Sequence, residues 1–112
     1  MVRPVITAAA TRPDPGPAFH ALSHAGRRHM LRLTSAGERT AGELAACCGL
    51  TRPATSQHLK VLREAGLVDV RTLGNQRLYR VRDAGLAELR AFLDSFWADR
   101  LDALRAAVEG DS

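Results

Sequence analysis

Residues 40–68, TAGELAACCGLTRPATSQHLKVLREAGLV, constrain the fold more than any other part of the chain. They hold two helix starts and two helix stops. Thr40 with Glu43 fits a capping box, in which the hydroxyl takes an orphan backbone N–H and the carboxylate reaches back to the cap's own N–H. Leu44, Ala45 and Cys48 then fall on one helical face, and Gly49 stands where a left-handed residue closes a helix. Thr51 follows as the cap of a second helix, with Pro53 tolerated in its first turn and Gly66 as its terminator. Thr55, Leu59 and Leu62 form an inner stripe along this second helix. Arg52, Ser56, Gln57 and Lys60 lie together on the outer side, and such side chains hydrogen-bond base edges or phosphates.

Beyond Gly66 the apolar period shortens from 3.6 towards 2. LVDVRT and RLYRV read as strands joined by LGNQ, with Gly74–Asn75 at a natural turn. The hairpin carries Arg71, Arg77, Arg80 and Arg82, while Leu78, Tyr79 and Val81 supply packing. Helix, tight turn, helix and basic hairpin, in that order, are the parts of a winged helix-turn-helix: a mainly α fold with one small β-hairpin.

Two helices are expected ahead of this unit. One starts at Pro17, puts Phe19 and Leu22 on one face and ends near His24; after a break at Gly26, a second spans roughly 27–35. Met30 and Leu31 would face inward there, with Arg27, Arg28 and Arg32 on the wet side. Residues 1–16 hold three of the five prolines and no periodicity, which reads as a flexible arm before a single domain at 17–112. After the hairpin, Asp83 caps a long helix at about 84–109. Its apolar positions are Leu86, Leu89, Leu93 and Phe96, then Trp97, Leu101, Leu104 and Val108. Their spacings of 3 and 4 are coiled-coil-like, and a helix this apolar at the end of a small domain needs a cover. The same helix of a second subunit is the economical one.

Charge divides the chain. Residues 17–82 hold eleven Arg/Lys against four Asp/Glu, whereas residues 83–112 hold three Arg against seven Asp/Glu, within a net charge of +4. A basic region joined to an acidic one points to a polyanion partner for the first. No apolar stretch approaches the roughly 20 residues of a membrane span, and two adjacent cysteines cannot make a disulfide framework. A cytoplasmic location is therefore expected. No nucleophile motif, carboxylate pair or phosphate-cradling glycine loop points to an enzyme.

FHALSHAGRRHMLRLT, TAGELAACCGLTRPATSQHLKVLREAGLV and GNQRLYRV together resemble the ArsR/SmtB family of winged-helix repressors, over residues 17–109. FLDSFWADRLDAL is similar to a subgroup that often lacks the founding members' metal sites. The chain departs from the family at His24, Ala25 and Gly26, where the consensus has an Asp-Pro-Thr turn. The resemblance implies a homodimer joined through its first and last helices, with Phe19, Leu22, Leu89, Leu93, Phe96, Trp97, Leu101 and Leu104 at the interface. It also implies recognition helices in successive major grooves of double-stranded DNA, wings in the flanking minor grooves and an inverted-repeat operator. Candidate DNA-contacting residues are Thr51, Arg52, Ser56, Gln57, His58 and Lys60 on the helix, with Arg71, Asn75 and Arg77 on the wing. The implied activity is repression of a promoter, its own among them, with the inducer unknown.

No cofactor or metal site is expected. The family's thiolate motif ELCxCD meets Ala45, Cys47 and Cys48 here, so one thiol matches and one does not; no His follows residue 58 to build the site on the last helix. Cys47 and Cys48 read as filler and core, as a sensor of oxidants, persulfides or soft metals, or as incidental surface residues. His20 and His24, four apart, read as an interface pair or as half of a zinc site. His58 sits between the two stripes, suited to a phosphate or an intramolecular hydrogen bond as well as to a base. Phe92, Phe96 and Trp97 read as core or as a small-molecule pocket. A winged-helix module that binds protein rather than DNA is the competing class, and it would want an acidic or apolar outer face on residues 51–66.

Overall fold

The computed structural model describes residues 14–110, so the N-terminal arm expected at 1–16 lies almost wholly outside the described residues. Among the described residues five helices and one hairpin follow in order: α1 Gly16–Leu22, α2 Ala25–Ala36, α3 Ala41–Cys48, α4 Arg52–Glu64, β1 Val68–Leu73, β2 Gln76–Val81 and α5 Asp83–Gly110. This is the winged helix-turn-helix order.

The caps of the central unit form as their residue types require. The Thr40 hydroxyl accepts from Glu43 N at 3.1 Å, and Glu43 Oε1 accepts from Thr40 N at 2.8 Å. Gly49 closes α3 at φ 65°, in the left-handed region that disfavours a Cβ. Thr51 Oγ1 accepts from Ala54 N at 3.2 Å to start α4. The hairpin pairs Val68 with Val81 through to Leu73 with Gln76, leaving Gly74 and Asn75 as the turn. Arg39 joins it as a one-residue third strand, since Arg39 N donates to Tyr79 O at 3.0 Å and Tyr79 N to Arg39 O at 2.7 Å.

The α1–α2 corner departs from expectation. α1 begins at Gly16 and stops at Leu22, short of His24. α2 begins at Ala25 because the His24 side chain supplies the cap: its Nδ1 accepts from Gly26 N at 3.0 Å. Gly26 is therefore inside the first turn, not a break. Arg27, expected in solvent, is 8% exposed. The last carbonyls of a helix have no partner within it, and Arg27 supplies one by donating from Nε to Ala21 O at 2.7 Å and from Nη2 to His20 O at 3.2 Å. Arg28 donates likewise to Leu22 O at 2.7 Å.

Met30, Leu44, Leu59, Leu62 and Leu67 are fully buried and knit α2, α3, α4 and the base of the hairpin into one core. α1 contributes Ala18 and Ala21, while Phe19 turns outward, 41% exposed, with its ring edge-on to Phe92 at 5.6 Å. α5 docks by Leu86 and Leu89, partly buried against the core, and by Gly85, which lies on Gly66 and Leu67. From Arg90 to Gly110 every residue of α5 is exposed, including Leu93, Phe96, Trp97, Leu101 and Leu104. Among the described residues no helix is long and apolar enough to cross a membrane.

Candidate nucleic-acid interface

α4 is fixed from within by Thr55, Leu59 and Leu62, all buried. With that face locked, Arg52, Ser56, Gln57 and Lys60 project together into solvent. Beside them the hairpin rises, and an open groove of about 590 Å³ runs between Ser56, Lys60, Arg63 and Glu64 on α4 and Asp69, Val70, Arg77 and Tyr79 on the hairpin, so its wall carries two carboxylates among three cations. The Arg77 guanidinium stands 5.9 Å over the Tyr79 ring, a cation–π distance that steadies a long exposed side chain. Asn75 is exposed at the hairpin tip, and Thr51 is exposed at the start of α4 with its hydroxyl engaged in the cap.

Two of the candidates are engaged inside the molecule. Arg71 is held by Glu38: Nη2 donates to Oε1 at 2.7 Å and Nε donates to Oε2. The Arg71 hydrogen bonds hold the Glu38 carboxyl below the usual carboxylate range, with Arg80, 3.9 Å away, helping through its charge. His58 turns away from the outer stripe. Its Nδ1 lies 3.2 Å from Arg27 Nη1, and its ring packs on His24 at 4.5 Å between centroids. Burial, then the charges of His24 and Arg27, push its pKa below the ordinary imidazole value.

Arg63 was missing from the candidate residues. It is exposed, lines the groove, and follows Lys60 by three and Ser56 by seven positions, the spacing of one helical face. That spacing is the signal that finds it. Glu38 has no such signal, because 33 residues separate it from Arg71.

The other candidate clusters come apart. His20 lies in α1 and His24 beyond its end, so the i, i+4 geometry needed for a shared metal does not form. Among the described residues no three His, Cys, Asp or Glu side chains gather as a metal site. Cys47 is exposed; Cys48 is half-buried, with Sγ 3.7 Å from His29 Nδ1, and burial followed by the neighbouring Cys47 pushes its thiol pKa up. A thiol so shifted is a poor nucleophile at neutral pH. Of the three aromatics on α5, Phe92 alone lines the pocket of about 440 Å³ between α1 and α5, bounded also by Ala18, Gly85, Glu88 and Leu89.

The comparisons agree with this geometry. A family model described as a helix-turn-helix domain matches residues 22–71. The HTH-type transcriptional regulator Rv2034 of Mycobacterium tuberculosis is 38% identical over 102 residues, which cover 91% of this chain and 95% of that one. The biofilm growth-associated repressor of Agrobacterium fabrum is 40% identical over 68 residues, covering 61% and 58%. Among solved structures, a "possible transcriptional regulator for arsenical resistance" is 48% identical, with a TM-score of 0.64 over 79% of this chain and 92% of that one. The homodimeric winged helix-turn-helix domain of Mb0332 from Mycobacterium bovis, described as a possible ArsR-family regulator, is 27% identical with a TM-score of 0.61, covering 79% and 82%. A relative of this identity matched along nearly its whole length, on a chain with this order of elements, settles the family: the chain belongs to the ArsR family of winged helix-turn-helix transcriptional regulators.

Proposed function

We propose that this chain is a cytoplasmic, sequence-specific repressor in which residues 17–112 act as one unit, binding an inverted-repeat operator as a homodimer and its own promoter among its targets. The observation that carries this reading is the solvent face of α4: Arg52, Ser56, Gln57 and Lys60 project from a helix whose other face is locked in the core. Such a helix can enter the major groove without rearranging. Gln57 and Ser56 are the base-edge readers; Arg52, Lys60, Arg63 and Arg77 meet phosphates; Asn75 carries the hairpin tip into the minor groove. Thr51 brings its backbone and cap to the phosphate strand. His58 and Arg71 serve from behind, as partners of Arg27 and Glu38 rather than of DNA.

The exposed stripe Leu93, Phe96, Trp97, Leu101 and Leu104, with Phe19 of α1, supports pairing with a second copy; Leu22 and Leu89, partly buried against the core, border it. The homodimeric Mb0332 domain and the Agrobacterium repressor support the assembly and the direction of regulation by their own described properties. Two-fold symmetry then sets the half-sites about 34–36 Å apart, one turn of the duplex. The raised pKa of Cys48 argues against Cys48 as the reactive thiol of a derepressor, and the polar, basic outer face of α4 argues against a protein-interaction module.

Fluorescence anisotropy of promoter DNA against a scrambled duplex, at two salt concentrations, tests the reading. Promoter preference with steep salt dependence is expected. Lys60→Ala or Arg77→Ala reduces the salt slope by about 0.9 for each lost phosphate contact. Gln57→Ala shifts base preference by about 1–3 kcal/mol at one position. Equal, weak binding to both duplexes would refute the repressor and favour the interaction module.

A further inference from the structure

We infer that Arg27 is the positioning residue for α4, acting through His58, and that acid releases this joint and with it operator discrimination. The inference rests on the reading of α4 as the DNA-reading helix.

The Arg27 guanidinium is nearly out of solvent and reaches three acceptors on two elements: Ala21 O and His20 O at the end of α1, and His58 Nδ1 in the middle of α4. An arginine stays protonated at any working pH and offers only donors. His58 Nδ1 must therefore present a bare lone pair, with the ring's proton on Nε2. Only the neutral imidazole completes the joint. His58 directly follows Gln57, so the joint acts one residue from a proposed base reader.

The titratable and charged groups acting on His58 are His24, packed against its ring, and Arg27; α1 presents backbone carbonyls to Arg27 there. His24 is itself engaged, its Nδ1 accepting from Gly26 N. A proton added to His58 Nδ1 would meet an N–H donor at 3.2 Å, so the hydrogen bond is lost and two cations are left in contact. The pKa of His58 lies below 6.5, so the joint is complete above that value and is lost as pH falls through the folded-state value. General electrostatics runs the other way: more positive charge tightens binding to any DNA. The two effects separate on two duplexes.

The test titrates wild type and His58→Asn with operator and scrambled duplexes from about pH 8 down through the midpoint of the His58 ring, located by NMR, at constant ionic strength. Asn puts an oxygen near the Nδ1 position and carries no proton to gain. Wild type should lose about tenfold in its preference for the operator at the acid end, the scale of one hydrogen bond to a charged group, while scrambled binding rises or holds. His58→Asn should keep a preference independent of pH. Arg27→Met should show low preference throughout. The same acid loss in His58→Asn as in wild type, or full preference in Arg27→Met, would overturn the inference. If wild type prefers no duplex even at about pH 8, the DNA-reading assignment itself fails. NMR then decides the joint alone: amides of Gln57–Val61 should shift with the midpoint of the His58 ring, and their staying still would overturn it.

Discussion

Glu38 accepts both Arg71 hydrogen bonds and stands 3.9 Å from Arg80, so two of the hairpin's cations face a carboxylate. Glu38→Gln removes that carboxylate. Non-specific DNA affinity should rise and the salt slope steepen by about 0.9 for each guanidinium freed to meet a phosphate, read by anisotropy on a scrambled duplex. The same substitution should change stability in the opposite sense. Because the Glu38 carboxyl is held below its ordinary value of 4.5, its contribution is present above that value and lost as pH falls through its folded-state value. The variant's melting temperature should therefore fall less than wild type's on acidification in that range. Residues whose partners sit within four positions were legible in the sequence: Thr40 with Glu43, Thr51 with Ala54, Gly49 at its helix end. Glu38 and Arg27 were not, because their partners belong to other elements and only the folded corner brings them near.

Among the elements, α5 is held at its base by a contact that tolerates no side chain. A Cβ on Gly85 would collide with the Gly66 carbonyl oxygen, which is itself fixed by Arg82 Nη1 at 3.2 Å. Backbone cannot yield there as a flexible side chain would. Gly85→Ala should cost about 2–3 kcal/mol, a fall in melting temperature of roughly 10 °C or more by the usual scaling for a domain near 100 residues. Gly42→Ala is the matched control: its nearest obstacle, at 3.3 Å, is the movable end of Arg52. Circular dichroism melts of the two variants separate these cases. Helix existence and order were legible from periodicity and caps, while the α1–α2 boundary was misread. A histidine cap at residue 24 is outside the usual Ser, Thr, Asp and Asn set, and Gly26 reads as punctuation until that cap is seen.

As a whole the molecule is elongated, 65 × 36 × 23 Å, because α5 runs on beyond the core with an apolar stripe uncovered. In the proposed pair that stripe is the seam. Leu101→Asp places a charge in it far from the core, so the fold should survive while the assembly does not. Light scattering after size exclusion should give twice the chain mass for wild type and the chain mass for the variant. Operator affinity should drop by about a hundredfold or more, since the second half-site is no longer tethered.

The glycine contact at the base of α5 has a mechanical meaning. With 28 residues the helix is about 42 Å long. The part beyond Gly85 is about 38 Å, so a swing of about 5° on that seat would carry its far end a little over 3 Å, on the order of a base-pair step along the duplex. In the proposed two-fold pair such a lever would gear a small change of angle into a change of reach, and the half-site spacing of the proposed operator would be the gauge that reads it.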